Sequence, residues 1–217
     1  YIVKDAGLDL VITVGPMLEH IGGPTESMRP MRLEELSFGG LPPVRRGPSR
    51  APDELAVLLY TSGTSGKPKG GMLSAGNLFA NIDQIRRWAT FDHRDVLLGV
   101  LPQFHSFGLT AGTILPLVSG VRTFHYPSPL HYRIVPALVY DKSCTVLMGT
   151  DTFLNGYAGR AHPYDFHTLK FLVSGGEKVQ QATADTYARR FGVRVLEGYG
   201  ATECTGTGSK EIGKYLK

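Results

Sequence analysis

The segment TSGTSGKPKG, residues 61–70, combines the residue types that bind phosphate groups. Glycine lets backbone amides approach a ligand closely, hydroxyl groups donate hydrogen bonds, and lysine supplies positive charge. The segment holds all three kinds, and its first seven residues are Thr61, Ser62, Gly63, Thr64, Ser65, Gly66 and Lys67. This chemistry suits a polyphosphate. The alternative is an ordinary solvated loop, in which the same residue types are common.

The spacing of this segment excludes the P-loop of kinases and G proteins. A P-loop has the pattern G-x-x-x-x-G-K-[ST], in which the final hydroxyl binds magnesium. Here Gly63 and Gly66 are three positions apart, and Pro68 follows Lys67 where Ser or Thr is needed. Proline at that position would also disturb the start of the helix that a P-loop opens.

Three further motifs follow predicted strands, where open α/β sheets bind ligands. LPQFHSFG contains His105, SGGEK is a double-glycine turn, and EGYGATE ends on a carboxylate. Taken singly, each has a structural interpretation: His105 as a satisfied core histidine, SGGEK as a tight turn, and Glu203 as a helix-start carboxylate. Together with residues 61–70 they could build one nucleotide site. The candidates in the last two motifs are Gly175, Gly176, Glu177, Tyr199, Gly200, Thr202 and Glu203.

Short apolar runs alternate with helical stretches along the chain. This pattern predicts an α/β fold with layered, largely parallel sheets flanked by helices. Strands are predicted at 8–14, 55–60, 96–101, 121–126, 145–149, 171–174 and 193–197, and helices at 74–89, 136–141 and 178–191. The proline-rich stretch 22–54 is predicted to be an irregular connection. Because GGML after residue 70 reads as a short strand, residues 61–70 are predicted to join two strands.

Two of the predicted helices carry an apolar face. In the first, Leu78, Ile82, Ile85 and Ala89 recur at helical spacing. In the second, the residues predicted to face inward are Val179, Ala182, Tyr187 and Phe191.

Composition limits the classes of function. The 217 residues carry a net charge of +4, but the basic residues are scattered and predict no nucleic-acid partner. No apolar run is long enough to predict a membrane span. Two cysteines form neither a disulfide framework nor a metal-binding pattern, which favours a reducing cytoplasm.

The motifs YTSGTSGKPKG, LPQFHSFG, SGGEK and GYGATE, in this order, resemble the core motifs of the adenylate-forming, AMP-binding superfamily. The resemblance covers residues 1–204, which would be part of the large N-terminal domain. Residues 124–150 and 159–178 also resemble the synthetase part of the fused bacterial acyl-ACP synthetase/2-acylglycerophosphoethanolamine acyltransferases.

The resemblance implies an AMP-forming acid-thiol ligase that uses ATP and Mg²⁺. A fatty acid would be converted to an acyl-adenylate, and the thiol of coenzyme A or of the phosphopantetheine on acyl carrier protein would then displace AMP. It also implies a cytoplasmic enzyme whose longer parent is associated with the cytoplasmic face of the inner membrane.

The resemblance assigns roles to the candidate residues. The segment from Thr61 to Lys67 would wrap the β- and γ-phosphates, and Thr202 would contact the α-phosphate. Glu203 would ligate magnesium. His105 would orient or gate the substrates where the acyl and pantetheine tunnels meet, and the helix after Phe107 and the strand 145–149 would enclose an acyl slot. Gly175, Gly176 and Glu177 would line the edge of the adenine, and Tyr199 would lie against its ring face. Gly200 would also contact the nucleotide.

The sequence also departs from the family pattern. Gly71 and Ala75 replace a common valine and histidine, and residues 205–217 form a divergent tail. The ribose-binding aspartate and the small C-terminal domain with its adenylation lysine are not recognised. The alternative function is therefore a catalytically incomplete fragment that binds nucleotide or carrier protein. A sheet cut in this way would expose an apolar edge and favour self-association.

Overall fold

The computed structural model describes residues 1–20, 28–37, 39, 47, 49–61 and 67–202. The chain divides into two compact units. The first comprises Tyr1–Arg50 and Ser62–Pro68, and the second comprises Ala51–Thr61 and Lys69–Lys217.

The first unit contains a two-stranded parallel sheet. Its elements are helix α1 (Ile2–Asp5), strand β1 (Leu10–Thr13), helix α2 (Gly15–His20), strand β2 (Arg29–Arg32) and a 3₁₀ turn at Leu33–Glu35. Strands β1 and β2 pair in register. The prediction of an irregular connection over 22–54 is therefore wrong at 29–35. The prolines around this run hid a strand that gains its hydrogen bonds from β1, a partner distant in sequence.

The second unit begins with an antiparallel hairpin. Strand β3 (Leu55–Thr61) pairs with strand β4 (Lys69–Ser74), and Thr61 lies opposite Lys69. The prediction that residues 61–70 join two strands is confirmed. Such a loop cannot use the dipole of a following helix to hold an anion, as a P-loop does.

A five-stranded parallel sheet forms the centre of the second unit. Its strands are β5 (Val96–Gly99), β6 (Arg122–His125), β7 (Val146–Gly149), β8 (Phe171–Ser174) and β9 (Val195–Glu197), in the order β6-β5-β7-β8-β9. The predicted α/β class and all five of these strands are confirmed, with some predicted ends trimmed. Every residue of β5 and β7 is buried, as expected for strands covered on both faces.

Helices cover both faces of this sheet. They are α3 (Ala75–Trp88), α4 (Ser106–Leu109), α5 (Leu115–Ser119), α6 (Ile134–Asp141), α7 (Asp151–Ala158) and α8 (Gln181–Thr186). One π-helical turn joins α4 to α5, and a second continues α8 through Phe191. None of the helices in the described ranges has the length and hydropathy of a membrane span.

Side-chain alternation along the strands divides the core into two clusters. Leu98 and Leu147 pack with α6 and α7 on one face, whereas Leu97 and Val146 pack with α3 and the segment after Ser106 on the other. The buried positions Leu78 and Ile82 in α3 and Tyr187 and Phe191 after α8 are confirmed. Ala182 was predicted to face inward but is exposed, because Thr183 occupies the buried position of that turn.

Candidate active site

A cleft lies at the carboxyl ends of strands β8 and β9. Its volume is 490 Å³, within the range of small-molecule sites, and it is lined by Gly176, Glu177, Lys178, Glu197, Gly198, Tyr199 and Gly200. The structure therefore brings together the SGGEK and EGYG motifs, which are distant in sequence. Parallel strands place both motifs at one edge of the sheet.

The two glycines of SGGEK serve different geometric needs. A Cβ atom on Gly175 would lie 3.0 Å from Cε1 of Phe107 and 3.3 Å from the carbonyl oxygen of Gly198. Gly176 has a φ of +83°, a backbone conformation that residues with a Cβ rarely adopt. Gly175 is therefore packed behind the cleft against Phe107, whereas Gly176 lines the cleft and leaves its backbone available to a ligand.

Glu177 is tied to a neighbouring helix. Its carboxylate accepts a hydrogen bond of 2.7 Å from the backbone N–H of Thr152, in the first turn of α7. This backbone hydrogen bond lowers the pKa of Glu177 below its ordinary value, against the smaller opposing effect of burial. Glu177 therefore lines the cleft as an anion and stabilises the start of α7.

The EGYGATE segment leads from the cleft toward the hairpin. Tyr199 is 71% exposed, so its ring is available to a ligand. Thr202 lies near the hairpin, because a Cβ atom built on Gly71 of β4 would be 4.0 Å from its methyl group. Two predicted contacts of one nucleotide, the base at Tyr199 and the α-phosphate at Thr202, are thus carried by a single short segment.

The residues predicted to bind phosphate are described only in part. Thr61 ends strand β3 and is partly buried, and Lys67 is exposed in the connection to β4. Ser62, Gly63, Thr64, Ser65, Gly66 and Glu203 lie outside the described residues. The roles predicted for them at the phosphates and at magnesium stay predictions.

His105 is exposed and is not one of the residues that line the cleft. It caps helix α4, and its Nδ1 accepts a hydrogen bond of 3.3 Å from the backbone N–H of Phe107. An acceptor at Nδ1 leaves the proton of a neutral imidazole on Nε2. The interpretation of His105 as a core histidine is wrong, and its gating role stays a prediction.

A second groove lies at the carboxyl ends of β5 and β6. Its volume is 610 Å³, and its lining residues include the aromatic side chains of Phe104 and Tyr126. This groove was not predicted from the sequence, although residues 101–104 of the LPQFHSFG motif line it and HYP lies at the end of strand β6. The acyl slot was predicted at a different place, between the helix after Phe107 and the strand 145–149. In the structure the side chains of Phe107, Ala111 and Met148 are buried in one core cluster.

Two carboxylates, Glu197 in the lining of the cleft and Asp151 outside it, had no predicted role. Asp151 accepts a hydrogen bond of 3.0 Å from the backbone N–H of Gln180, and Glu197 accepts one of 2.9 Å from Val179. Their sequence signal is weak, because a single acidic residue at a strand end or a helix start is common. The backbone groups that they bind are set by the fold.

Comparison with known proteins identifies close similarities. A model of the AMP-binding enzyme family matches residues 1–214. The long-chain-fatty-acid–CoA ligase of Escherichia coli O157:H7 is 33% identical over 167 residues, which are 72% of this chain and 29% of the ligase. The medium-chain fatty-acid–CoA ligase of Escherichia coli K12 is 31% identical over 157 residues, which are 70% of this chain and 27% of the ligase.

Among solved structures, ATP-bound MatB from Rhodopseudomonas palustris superposes with a TM-score of 0.80 at 25% identity. The match covers 94% of this chain and 42% of MatB. The chain thus spans less than a third of the length of the curated relatives it matches.

Proposed function

Because the chain belongs to the AMP-binding enzyme family, we propose that it forms the nucleotide-binding part of an ATP-dependent fatty-acid ligase. The observation that carries this proposal is the cleft in which SGGEK and EGYG meet. Its volume of 490 Å³ accommodates a nucleoside, and the lining glycines Gly176, Gly198 and Gly200 suit the close approach of a flat base.

The proposed reaction has two steps. A fatty-acid carboxylate attacks the α-phosphorus of ATP, and the bond to the β-phosphate breaks to release pyrophosphate. A thiol then attacks the acyl carbon, and AMP leaves as the thioester forms. The first step is needed because a carboxylate is a poor electrophile until its oxygen becomes a good leaving group.

Both steps move negative charge, so the protein can stabilise the transition states with fixed hydrogen-bond donors and cations. In this proposal the hydroxyls and amides from Thr61 to Gly66 and the ammonium group of Lys67 hold the departing pyrophosphate. The hydroxyl of Thr202 donates to the α-phosphate. Glu203 would hold Mg²⁺, which neutralises phosphate charge when bound.

His105 is proposed to orient the substrates. Its exposed ring carries a donor at Nε2 when Nδ1 accepts from Phe107. It follows strand β5, whose carboxyl end lies at the same edge of the sheet as the cleft. A donor at this edge can bind a carboxylate or a thioester oxygen.

The substrate class is a fatty acid, as the names of the relatives suggest. The acceptor is a phosphopantetheine thiol, which coenzyme A and acyl carrier protein share. The relatives are CoA ligases, whereas residues 124–150 and 159–178 resemble acyl-ACP synthetases. The identity of the thiol substrate is therefore to be decided by experiment.

Fatty-acid-dependent exchange of pyrophosphate into ATP tests the first step. We expect exchange with wild type and a loss of about 10- to 100-fold in Lys67→Ala, since a hydrogen bond to a charged group contributes about 1.5–3 kcal/mol. Lys4→Ala removes an exposed lysine from α1 and should exchange like wild type. Equal exchange in all three proteins would contradict the role of Lys67.

Thioester formation tests the second step. Coenzyme A and phosphopantetheinylated acyl carrier protein are offered separately to the acyl-adenylate, and the acylated product is measured. Product with one donor identifies the thiol. Nucleotide binding without exchange would instead support the alternative function, a catalytically incomplete fragment that binds nucleotide or carrier protein.

A further inference from the structure

The loop between β8 and α8, residues 175–180, is fastened to helix α7 by two reciprocal hydrogen bonds. Glu177 of the loop accepts from the backbone N–H of Thr152 at 2.7 Å. In return, Asp151 of α7 accepts from the backbone N–H of Gln180 at 3.0 Å. Each segment thus supplies one carboxylate and one backbone donor to the other.

This fastening adds to the bond of 2.9 Å from the Val179 N–H to Glu197 and to the packing of Gly175 against Phe107, and it matters because the loop has no regular secondary structure. Gly176, Glu177 and Lys178 are exposed and line the cleft, and they lie outside helices and strands. Glycines lose more conformational entropy on ordering than other residues do. The loop contributes backbone to the cleft, so it must be ordered when a ligand binds. If the free protein does not already order it, the loss of conformational entropy on binding lowers the ligand affinity.

Asp151 is the member of this pair that stands apart from the cleft. It is 7% exposed, and it is not one of the residues that line the cleft. Its oxygen reaches Gln180, the residue that precedes the first turn of α8. A buried carboxylate is costly unless donors compensate it, so its contact with the loop N–H is a specific arrangement.

We propose that Asp151 is a positioning residue for the nucleotide, which holds the loop at 175–180 in the conformation that receives the base. This inference rests on the proposed function. Asp151 acts through the backbone N–H of Gln180 and is not placed in contact with substrate. The reciprocal carboxylates organise the cleft in advance, which reduces the entropy that binding must remove.

Two measurements on the purified chain test the role of Asp151. Amide hydrogen exchange in the absence of ligand reports the order of residues 175–180, and calorimetry with ATP reports affinity. Asp151→Ala should speed exchange in the loop and weaken ATP binding by about tenfold, the loss expected for one hydrogen bond to a charged acceptor. Asp151→Asn keeps an acceptor oxygen and should restore most of both properties.

Asp185→Ala is the matched control. Asp185 lies on α8, where it pairs with Arg189 at 3.8 Å and accepts from the side-chain amide of Gln181 at 2.8 Å. Within the described residues it takes no part in the hydrogen bonds that hold the loop at 175–180, so its removal should change neither loop exchange nor ATP affinity. Should Asp151→Ala fail to fold, Glu177→Ala removes the reciprocal bond from an exposed position. It should speed exchange in both the loop and the first turn of α7.

Unchanged loop exchange in Asp151→Ala and Glu177→Ala would overturn the inference. Faster loop exchange in Asp151→Ala, together with an ATP affinity equal to that of Asp185→Ala, would also overturn it. Wild type that binds no ATP would contradict the proposed function, whereas the exchange measurement alone would still decide whether Asp151 holds the loop.

Discussion

The ring of Phe107 packs directly against Gly175, with Cε1 3.0 Å from the position that a Cβ atom would occupy. This contact joins the LPQFHSFG and SGGEK motifs. It gives a physical reason for the first glycine of the pair, because no side chain fits between the Phe107 ring and the strand end. The second glycine is required by its positive φ.

Gly175→Ala should destabilise the protein by about 1–3 kcal/mol, the usual cost of overpacking. The added methyl group meets a buried ring on one side and the Gly198 carbonyl oxygen on the other, at 3.3 Å. Urea unfolding followed by circular dichroism measures the change.

A second substitution distinguishes overpacking from other causes. Gly175→Ala combined with Phe107→Leu should be more stable than the sum of the single effects predicts, since the smaller side chain vacates the space. Gly112→Ala serves as the control, because its Cβ would meet nothing within 4 Å. Strict additivity of the two single changes would contradict the contact.

Asp95→Asn should destabilise the protein by about 1–3 kcal/mol, the cost of weakening buried hydrogen bonds to a charged group. Asp95 is 1% exposed and accepts from the Thr145 hydroxyl at 2.9 Å and from the Lys170 ammonium at 2.8 Å. Asp185→Ala, which breaks a surface ion pair with Arg189 and an exposed hydrogen bond from the Gln181 side chain, should change the unfolding free energy by less than about 0.5 kcal/mol. A loss in Asp95→Asn no larger than in this control would show that the network adds nothing.

The contribution of Asp95 should disappear in acid. Burial would raise the pKa of Asp95, but donation from Lys170, from the Asp92 N–H and from Thr145 outweighs it and lowers the pKa. A carboxylate with a lowered pKa stabilises the fold above its unfolded pKa of about 3.9, and the effect is lost as pH falls through the folded pKa.

The difference in unfolding free energy between wild type and Asp95→Asn should therefore be constant above about pH 5 and shrink below about pH 4. Urea unfolding at a series of pH values measures it. A difference that grows as the pH falls would have the wrong sign and would exclude a lowered pKa.

Much of the parallel sheet was predictable, because buried strands such as β5 and β7 are continuous apolar runs that are bounded by glycine and polar residues. Strand β2 was not predictable, since its proline and arginines form a strand only through pairing with β1. Helix α7 was also missed. It is short and contains Gly156, and its start is stabilised by the carboxylate of Glu177, which is remote in sequence.

The candidate site divides in the same way. The glycines and motif residues of the cleft could be predicted from the sequence, because backbone geometry and ligand contact restrict which residue types can occupy these positions. No sequence pattern identified Asp151, since its role depends on where the fold places the Gln180 N–H. Positioning residues of this kind become visible only when the loop and the helix are seen together.

Photolabelling with 2-azido-ATP tests most directly whether the cleft holds a nucleotide base. Tyr199 in the cleft and Tyr164 away from it are similarly exposed, at 71% and 67%, so they form an internal control for random reaction. We predict labelling of the cleft residues 176–178 and 197–200 that includes Tyr199, spares Tyr164 and is suppressed by excess ATP. Equal labelling of both tyrosines, with no protection by ATP, would contradict the account.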